Sequence, residues 1–216
     1  MARIIKPRKS NFPVVVIIDG EDEKWYLEKV KEHYRPDILR KIKVEPALAQ
    51  KKKVAELFVE AEKQVKAGSS KVVLIVDFDD IGKSDKELSE FKKWYAWYQN
   101  VNNGNTKKHA WMEHLELIVN SPCIEFWYLL HFRKTTKYYP NFQSMHHDLT
   151  AIPMLSDYEK TNTYYMKRPN IFLRLGGDDG LKQARKNAIP FNIEYCQNQG
   201  ISEMNRLFDF FDSLKL

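Results

Sequence analysis

Residues 72–82, VVLIVDFDDIG, constrain the fold more than any other stretch of the chain. Val72, Val73, Leu74, Ile75 and Val76 form an unbroken apolar run. Such a run reads as a strand buried on both faces, as in a parallel sheet covered by helices. It ends in Asp77, Phe78, Asp79 and Asp80. Carboxylates at that point stand at the C-terminal edge of the strand, where open α/β sheets place their ligands. On extended backbone Asp77 and Asp79 point to one side. Two carboxylates held together repel unless a cation or a proton lies between them. The oxygen donors suggest a divalent ion, most simply Mg²⁺ or Mn²⁺. An aspartate after a buried strand also serves as a turn former or helix cap, so the motif needs support from elsewhere in the chain.

The first 80 residues supply the frame. Val14–Ile18 is a run of β-branched residues, followed by the acidic stretch Asp19-Gly20-Glu21-Asp22-Glu23. A helix is expected over about 22–34, with Trp25, Leu27, Val30 and Tyr34 on its apolar face and Pro36 ending it. A short strand over 42–44 and a helix over 51–66 lead into the central strand at 71–77. This β-α-β-α-β order predicts an α/β fold with a mostly parallel sheet flanked by helices. Beyond it, a helix over 84–99 has Ser84 as its N-cap, and a strand covers 115–119. Asn120-Ser121-Pro122 reads as a strand exit, a capping serine and a proline at the first helical position. The helix from 122 to about 132 is apolar nearly all round, with Glu125 in its first turn and His131 at its end, suited to the C-terminal dipole. Residues 133–175 show few clear periods. Gly176-Gly177-Asp178-Asp179-Gly180 reads as a loop with an aspartate capping the next helix, 178–188, and an amphipathic helix covers 201–215. The expected organisation is one domain over 13–216 with C-terminal helical additions, preceded by a basic flexible arm, 1–12, carrying Arg3, Lys6, Arg8 and Lys9.

Three acidic groups lie near strand exits or helix starts: Asp19 with Glu21 and Glu23, Asp77 with Asp79, and Glu125. A parallel sheet brings its strand C-terminal ends to one edge, so these groups can converge on one metal. Phosphoryl transfer uses such a site to neutralise phosphate charge and orient water. Inside so apolar a helix a bare Glu125 would be costly, which favours a functional role. Arg133, Lys134 and Lys137 with Tyr138 and Tyr139, and Lys167 and Arg168 with Tyr164 and Tyr165, interleave cations and aromatics, as surfaces that bind nucleic acid do. The net charge of +6 and pI near 9.1 point the same way without proving it. Cys123 and Cys196 form neither a metal spacing nor a disulfide framework, so a reducing cytoplasm is the default location. The N-terminus lacks an apolar signal region, and no run is long and apolar enough for a membrane span.

Three stretches carry a resemblance to the RloB-like proteins, a branch of the Toprim fold related to the nuclease domains of OLD-family proteins. VVVIIDGEDEKWYL (14–27) is similar to the family's strand and E-G-E-x-T-E-x-x-Y-F signature. IVDFDD (75–80) is similar to its D-x-D motif, and NSPCIEFWYLLHF (120–132) to its S-N-P-C-F-E-x-W-L-L-L-H-F segment. The resemblance implies a Toprim-like sheet and a metal site in which Asp19, Asp77 and Asp79 bind the ion. Glu23 and Glu125 match further acids of the motifs, as ligands or general acid/base. Asp19 stands where the family supplies Glu, and the signature here is one residue shorter and lacks the Thr. The implied activity is Mg²⁺- or Mn²⁺-dependent cleavage of DNA or RNA, tRNA included, in abortive anti-phage defence with an ATPase encoded alongside. A homo-oligomer is left open. Two other readings are weighed beside it: a catalytically degenerate module that binds an ATPase or nucleic acid, and a phosphatase in which the first aspartate of D-x-D is the nucleophile.

Overall fold

The computed structural model of the protein describes residues 14–46, 53–105 and 107–215. The expected basic arm, 1–12, lies outside them, as do residues 51 and 52 at the expected start of a helix. The central sheet has the strand order β2-β1-β3-β4-β5. Its strands are β1 (Val14–Ile18), β2 (Lys43–Pro46), β3 (Lys71–Asp77), β4 (Leu115–Ser121) and β5 (Ile201–Ser202). Every pairing is parallel except that of β4 with β5. The fold is therefore α/β with a mostly parallel sheet, as the strand–helix alternation predicts.

The helices are α1 (Glu21–His33), α2 (Pro36–Leu39), α3 (Val54–Lys66), α4 (Phe78–Gly82), α5 (Asp85–Asn102), α6 (Glu125–Leu130), α7 (Phe142–Thr150), α8 (Asn162–Tyr165), α9 (Ile171–Arg174), α10 (Gly177–Asn187) and α11 (Met204–Ser213). Strand alternation sorts them into two layers. Val14, Val16, Ile18, Val73, Ile75 and Ile118 point into a core shared with α1, α6, α7, α10 and α11. Val15, Ile17, Val72, Leu74, Val76, Leu117 and Val119 point the other way, onto α3, α4 and α5. The chain leaves β1 towards the first layer and β3 towards the second. A crevice opens where neighbouring strands send their connections to opposite sides, and ligands of α/β sheets bind there.

Several local expectations change. α4 begins directly after Asp77, so Asp79 sits in a helical turn, and the two aspartates no longer share one side of an extended chain. β4 continues through Ser121 because Asn120 and Ser121 pair with β5, so Ser121 is a buried strand residue and not a helix cap. Pro122 follows a cis peptide bond and precedes the helix, which starts at Glu125. Pro36 opens the short α2 instead of merely ending α1. On α1 the buried aromatic is Tyr26, and Trp25 is only half-buried. Gly176, with φ 90°, caps α10, and Asp178 and Asp179 lie in its first turn. Ile201 and Ser202 are strand, so the last helix begins at Met204. His131 is buried with Nδ1 3.0 Å from the Trp127 carbonyl. Burial pushes its imidazole down to about 4, so it is neutral near pH 7 and adds no charge at the helix end. The Ser84 cap on α5 is as expected, accepting from the Glu87 N–H.

Candidate active site

The crevice between β1 and β3 is lined by acids from three elements, α1, β3 and α6. α1 starts at Glu21, immediately after Gly20, and puts Glu21, Asp22 and Glu23 in its first turn, where the helix dipole favours negative charge. Glu23 folds back under this turn and is 2 % exposed. A Cβ on Gly20 would come within 2.6 Å of Glu23 Oε2, so any side chain there would displace that carboxylate. Glu23 hydrogen-bonds Asp77 at the end of β3, and two carboxyls so joined share a proton. Asn120, which pairs with Asp77 across the β3–β4 ladder, reaches Asp77 Oδ1 with its amide at 3.4 Å. Ser202 donates to Asn120 Oδ1 at 2.6 Å and holds that amide in place.

Glu125, at the start of α6, is fully buried on the same side. Its Oε1 accepts from the Tyr158 hydroxyl at 2.6 Å and from the Lys160 ammonium at 3.0 Å. Lys160 also stands 3.4 Å from Asp22 Oδ2, tying α1 to α6. The Tyr158 hydroxyl meets that of Tyr165 at 2.9 Å, and Tyr165 meets Tyr128 at 3.1 Å. Each hydroxyl carries one hydrogen, and Tyr158 gives its own to Glu125, so Tyr165 donates to Tyr158 and Tyr128 to Tyr165.

One oxygen of each of three acids is left over. Asp22 Oδ1, Glu23 Oε2 and Glu125 Oε2 are buried without a hydrogen-bond partner. Burial, with Glu125 nearby, pushes Asp22 up to about 6. Burial also pushes Glu23 up to about 7. Asp77 rises well above the usual carboxylate range through burial and the charge of Glu23. For Lys160 burial acts the other way, but Glu125 and Asp22 outweigh it and keep the ammonium charged. The centre thus carries more negative charge than its lysine compensates. Its donors are all hard oxygens, which fit Mg²⁺ or Mn²⁺ by chemistry. As they stand, no three His, Cys, Asp or Glu side chains among the described residues are grouped to hold a metal.

The expected site residues divide. Glu23, Asp77 and Glu125 come together. Asp19 continues the alternation of β1 towards the second layer and lines a cleft with Lys53, Leu57, Asp80 and Glu87. Asp79 lies 3.5 Å from the Lys83 ammonium and lines a small cleft with Tyr138, Pro140 and Gln197, its N–H donating to the Pro122 carbonyl at 2.9 Å. Asp22, Tyr158 and Lys160 are additions. Asp22 was within the acidic stretch already singled out, whereas Lys160 and Tyr158 sit in the aperiodic segment and gave no signal.

The expected nucleic-acid-binding residues form two groups. Arg133 and Lys137 both pair with Asp148, at 3.1 and 2.7 Å, and Lys134 beside them is exposed. Lys167 pairs with Asp157 at 3.0 Å, and with Arg168 it lines a cleft at the far end of α1 that also holds Lys29, His33 and Asn170. No helix among the described residues is long and apolar enough to cross a membrane.

Comparison with curated proteins and with solved structures finds no match. The family model described as "RloB-like protein" matches residues 14–209. That range includes β1 to β5, the acidic crevice and the aromatic helix α6, so by most of its length the chain belongs to the RloB-like family.

Proposed function

We propose that the protein is a Mg²⁺- or Mn²⁺-dependent nuclease that hydrolyses phosphodiester bonds of DNA or RNA, tRNA included. The observation that carries this reading is the meeting of Asp22, Glu23, Asp77 and Glu125 at the sheet's crevice, with three buried carboxylate oxygens lacking partners. Asp77, Asp22 and Glu125 would hold the ion, and a bound ion there supplies charge neutralisation for the phosphate and a water of lowered pKa. Glu23, held up to about 7, is matched to accept the proton of the attacking water near neutral pH. Tyr158 engages Glu125 Oε1, which leaves Oε2 as the oxygen without a partner. Asn120 orients Asp77. Lys134 and Arg168, both exposed, and Lys167 would take phosphates outside the centre. Family membership extends the reading to an effector of anti-phage defence working with an ATPase partner.

A second reading, a silent module that binds an ATPase or nucleic acid, is favoured by two observations. Asp79 is engaged with Lys83, and Asp19 lines the opposite layer's cleft. The phosphatase reading has less support, since Asp77, its nucleophile, is joined to Glu23 and Asn120.

Calorimetric titration with Mn²⁺ tests the first reading, using wild type, Asp77→Asn and Glu125→Gln, each checked for folding. The expected outcome is binding by wild type and at least tenfold loss in both variants, followed by cleavage of DNA or tRNA. Wild type that fails to bind millimolar Mn²⁺ would sink it. Binding of nucleic acid without cleavage under any divalent ion would favour the silent module. Turnover of p-nitrophenyl phosphate would favour the phosphatase.

A further inference from the structure

Lys160 occupies the place where a cation is wanted. Its ammonium lies between Asp22 Oδ2 and Glu125 Oε1, acids that reach the crevice from the first turns of different helices. The partners differ in mobility. Glu125 is fully buried on α6, and Asp22 is anchored in the first turn of a long helix. Lys160 comes from irregular backbone just before α8 and carries its charge on a flexible four-carbon stem, 30 % exposed. Its ammonium is also 4.4 Å from the centre of the Phe142 ring, whose face can hold a cation close to where it now sits. Both carboxylates that hold the ammonium keep a second oxygen, Asp22 Oδ1 and Glu125 Oε2, buried and bare.

We propose that Lys160 is a tethered counter-ion of the acidic centre. It holds Asp22 and Glu125 together when no metal is bound and gives way, towards Phe142 and solvent, when a divalent cation enters. The metal-free protein is thereby spared an uncompensated buried charge, and metal must compete with an internal cation. This deepens the metal-dependent reading above and rests on it.

The test is Mn²⁺ calorimetry and metal-free thermal melting of wild type, Lys160→Met, Lys160→Gln and Lys160→Arg. Loss of the ammonium should tighten Mn²⁺ binding at least tenfold in the Met and Gln variants while lowering the metal-free melting temperature. The Arg variant, which keeps a cation, should stay within about threefold of wild type. In ¹⁵N-lysine-labelled protein, Mg²⁺ should shift the Lys160 ammonium resonance. Equal or weaker Mn²⁺ binding by both the Met and Gln variants, with wild type binding normally, overturns the proposal and leaves the metal reading standing. An ammonium resonance that Mg²⁺ does not move also overturns it. Absence of Mn²⁺ binding in wild type and all variants overturns both.

Discussion

Glu125 and Asp148 each accept hydrogen bonds from a tyrosine hydroxyl and a lysine ammonium, yet their surroundings are oppositely balanced. Asp148 Oδ2 takes Tyr139 at 2.5 Å, Lys137 at 2.7 Å and Arg133 at 3.1 Å. Lys137 and Tyr139 hold its carboxyl well below the usual range, and the cluster lies at the surface. Glu125 takes Tyr158 and Lys160, but it shares that lysine with Asp22 and stands near Glu23 and Asp77. The same donors complete the first site and leave the second short of positive charge. A carboxylate with surplus cations is a structural clamp. A set of buried carboxylates with too few is kept at a cost to stability, and that cost is what the proposed metal would relieve.

The sharpest way to break this comparison is to remove each carboxylate. Glu125→Ala leaves the buried Tyr158 hydroxyl unanswered and Lys160 with Asp22 as its remaining carboxylate, and should cost about 3–5 kcal/mol in denaturant melts, as breaking a buried pair does. It should also abolish Mn²⁺ binding. An effect no larger than that of Asp148→Ala would show that the two sites are alike after all.

The second way is pH. Glu23, raised to about 7, and Asp22, raised to about 6, bind protons more tightly in the folded state than in the unfolded chain. Their contribution is fully present below about pH 4 and is lost as pH rises through 6 and 7. Metal-free protein should therefore lose a few kcal/mol between pH 5 and 8, and Mn²⁺ should restore it. Asp148, whose pKa is lowered, acts with the opposite sign, stabilising above about pH 4 and losing its effect as pH falls. Metal-free melting temperatures that stay level from pH 5 to 8 would contradict the shared proton of Glu23 and Asp77.

A smaller effect comes from Gly20→Ala. The new methyl would press on Glu23 Oε2, costing about 1–3 kcal/mol as overpacking does, and Mn²⁺ affinity should fall with it. The smallest is Asp148→Ala. Exposed pairs contribute about 1 kcal/mol or less, so its melting temperature should change little and its Mn²⁺ isotherm should match wild type.

The sheet was legible because buried parallel strands write themselves as apolar runs, and both Val14–Ile18 and the run before Asp77 do so. Glu125 stood out because a bare charge in the helix sequence CIEFWYLL is costly, and the structure gives it a cation, Lys160, that the sequence did not show. Asp79 was misplaced because the chain turns helical right after Asp77, which period-two reasoning cannot foresee. The layer that Asp19 faces depends on strand parity up to the end of β1, where one residue reverses the answer. Lys160 and Tyr158 lie in a stretch with no period. Their meeting with Glu125 is a product of tertiary packing, more than thirty residues away in sequence.

The ordered hydroxyls of Tyr128, Tyr165 and Tyr158 have a consequence of their own. Each dipole points its positive end along the row towards Glu125, so three neutral side chains act together as a fixed electric field on one carboxylate. That is what aligned peptide groups do for an anion at the head of a helix, here built from side chains inside a core. Tyr128 touches neither Glu125 nor the crevice through its hydroxyl, yet it terminates the array. Removing that single oxygen shortens the row and weakens the hold on an acid two tyrosines away.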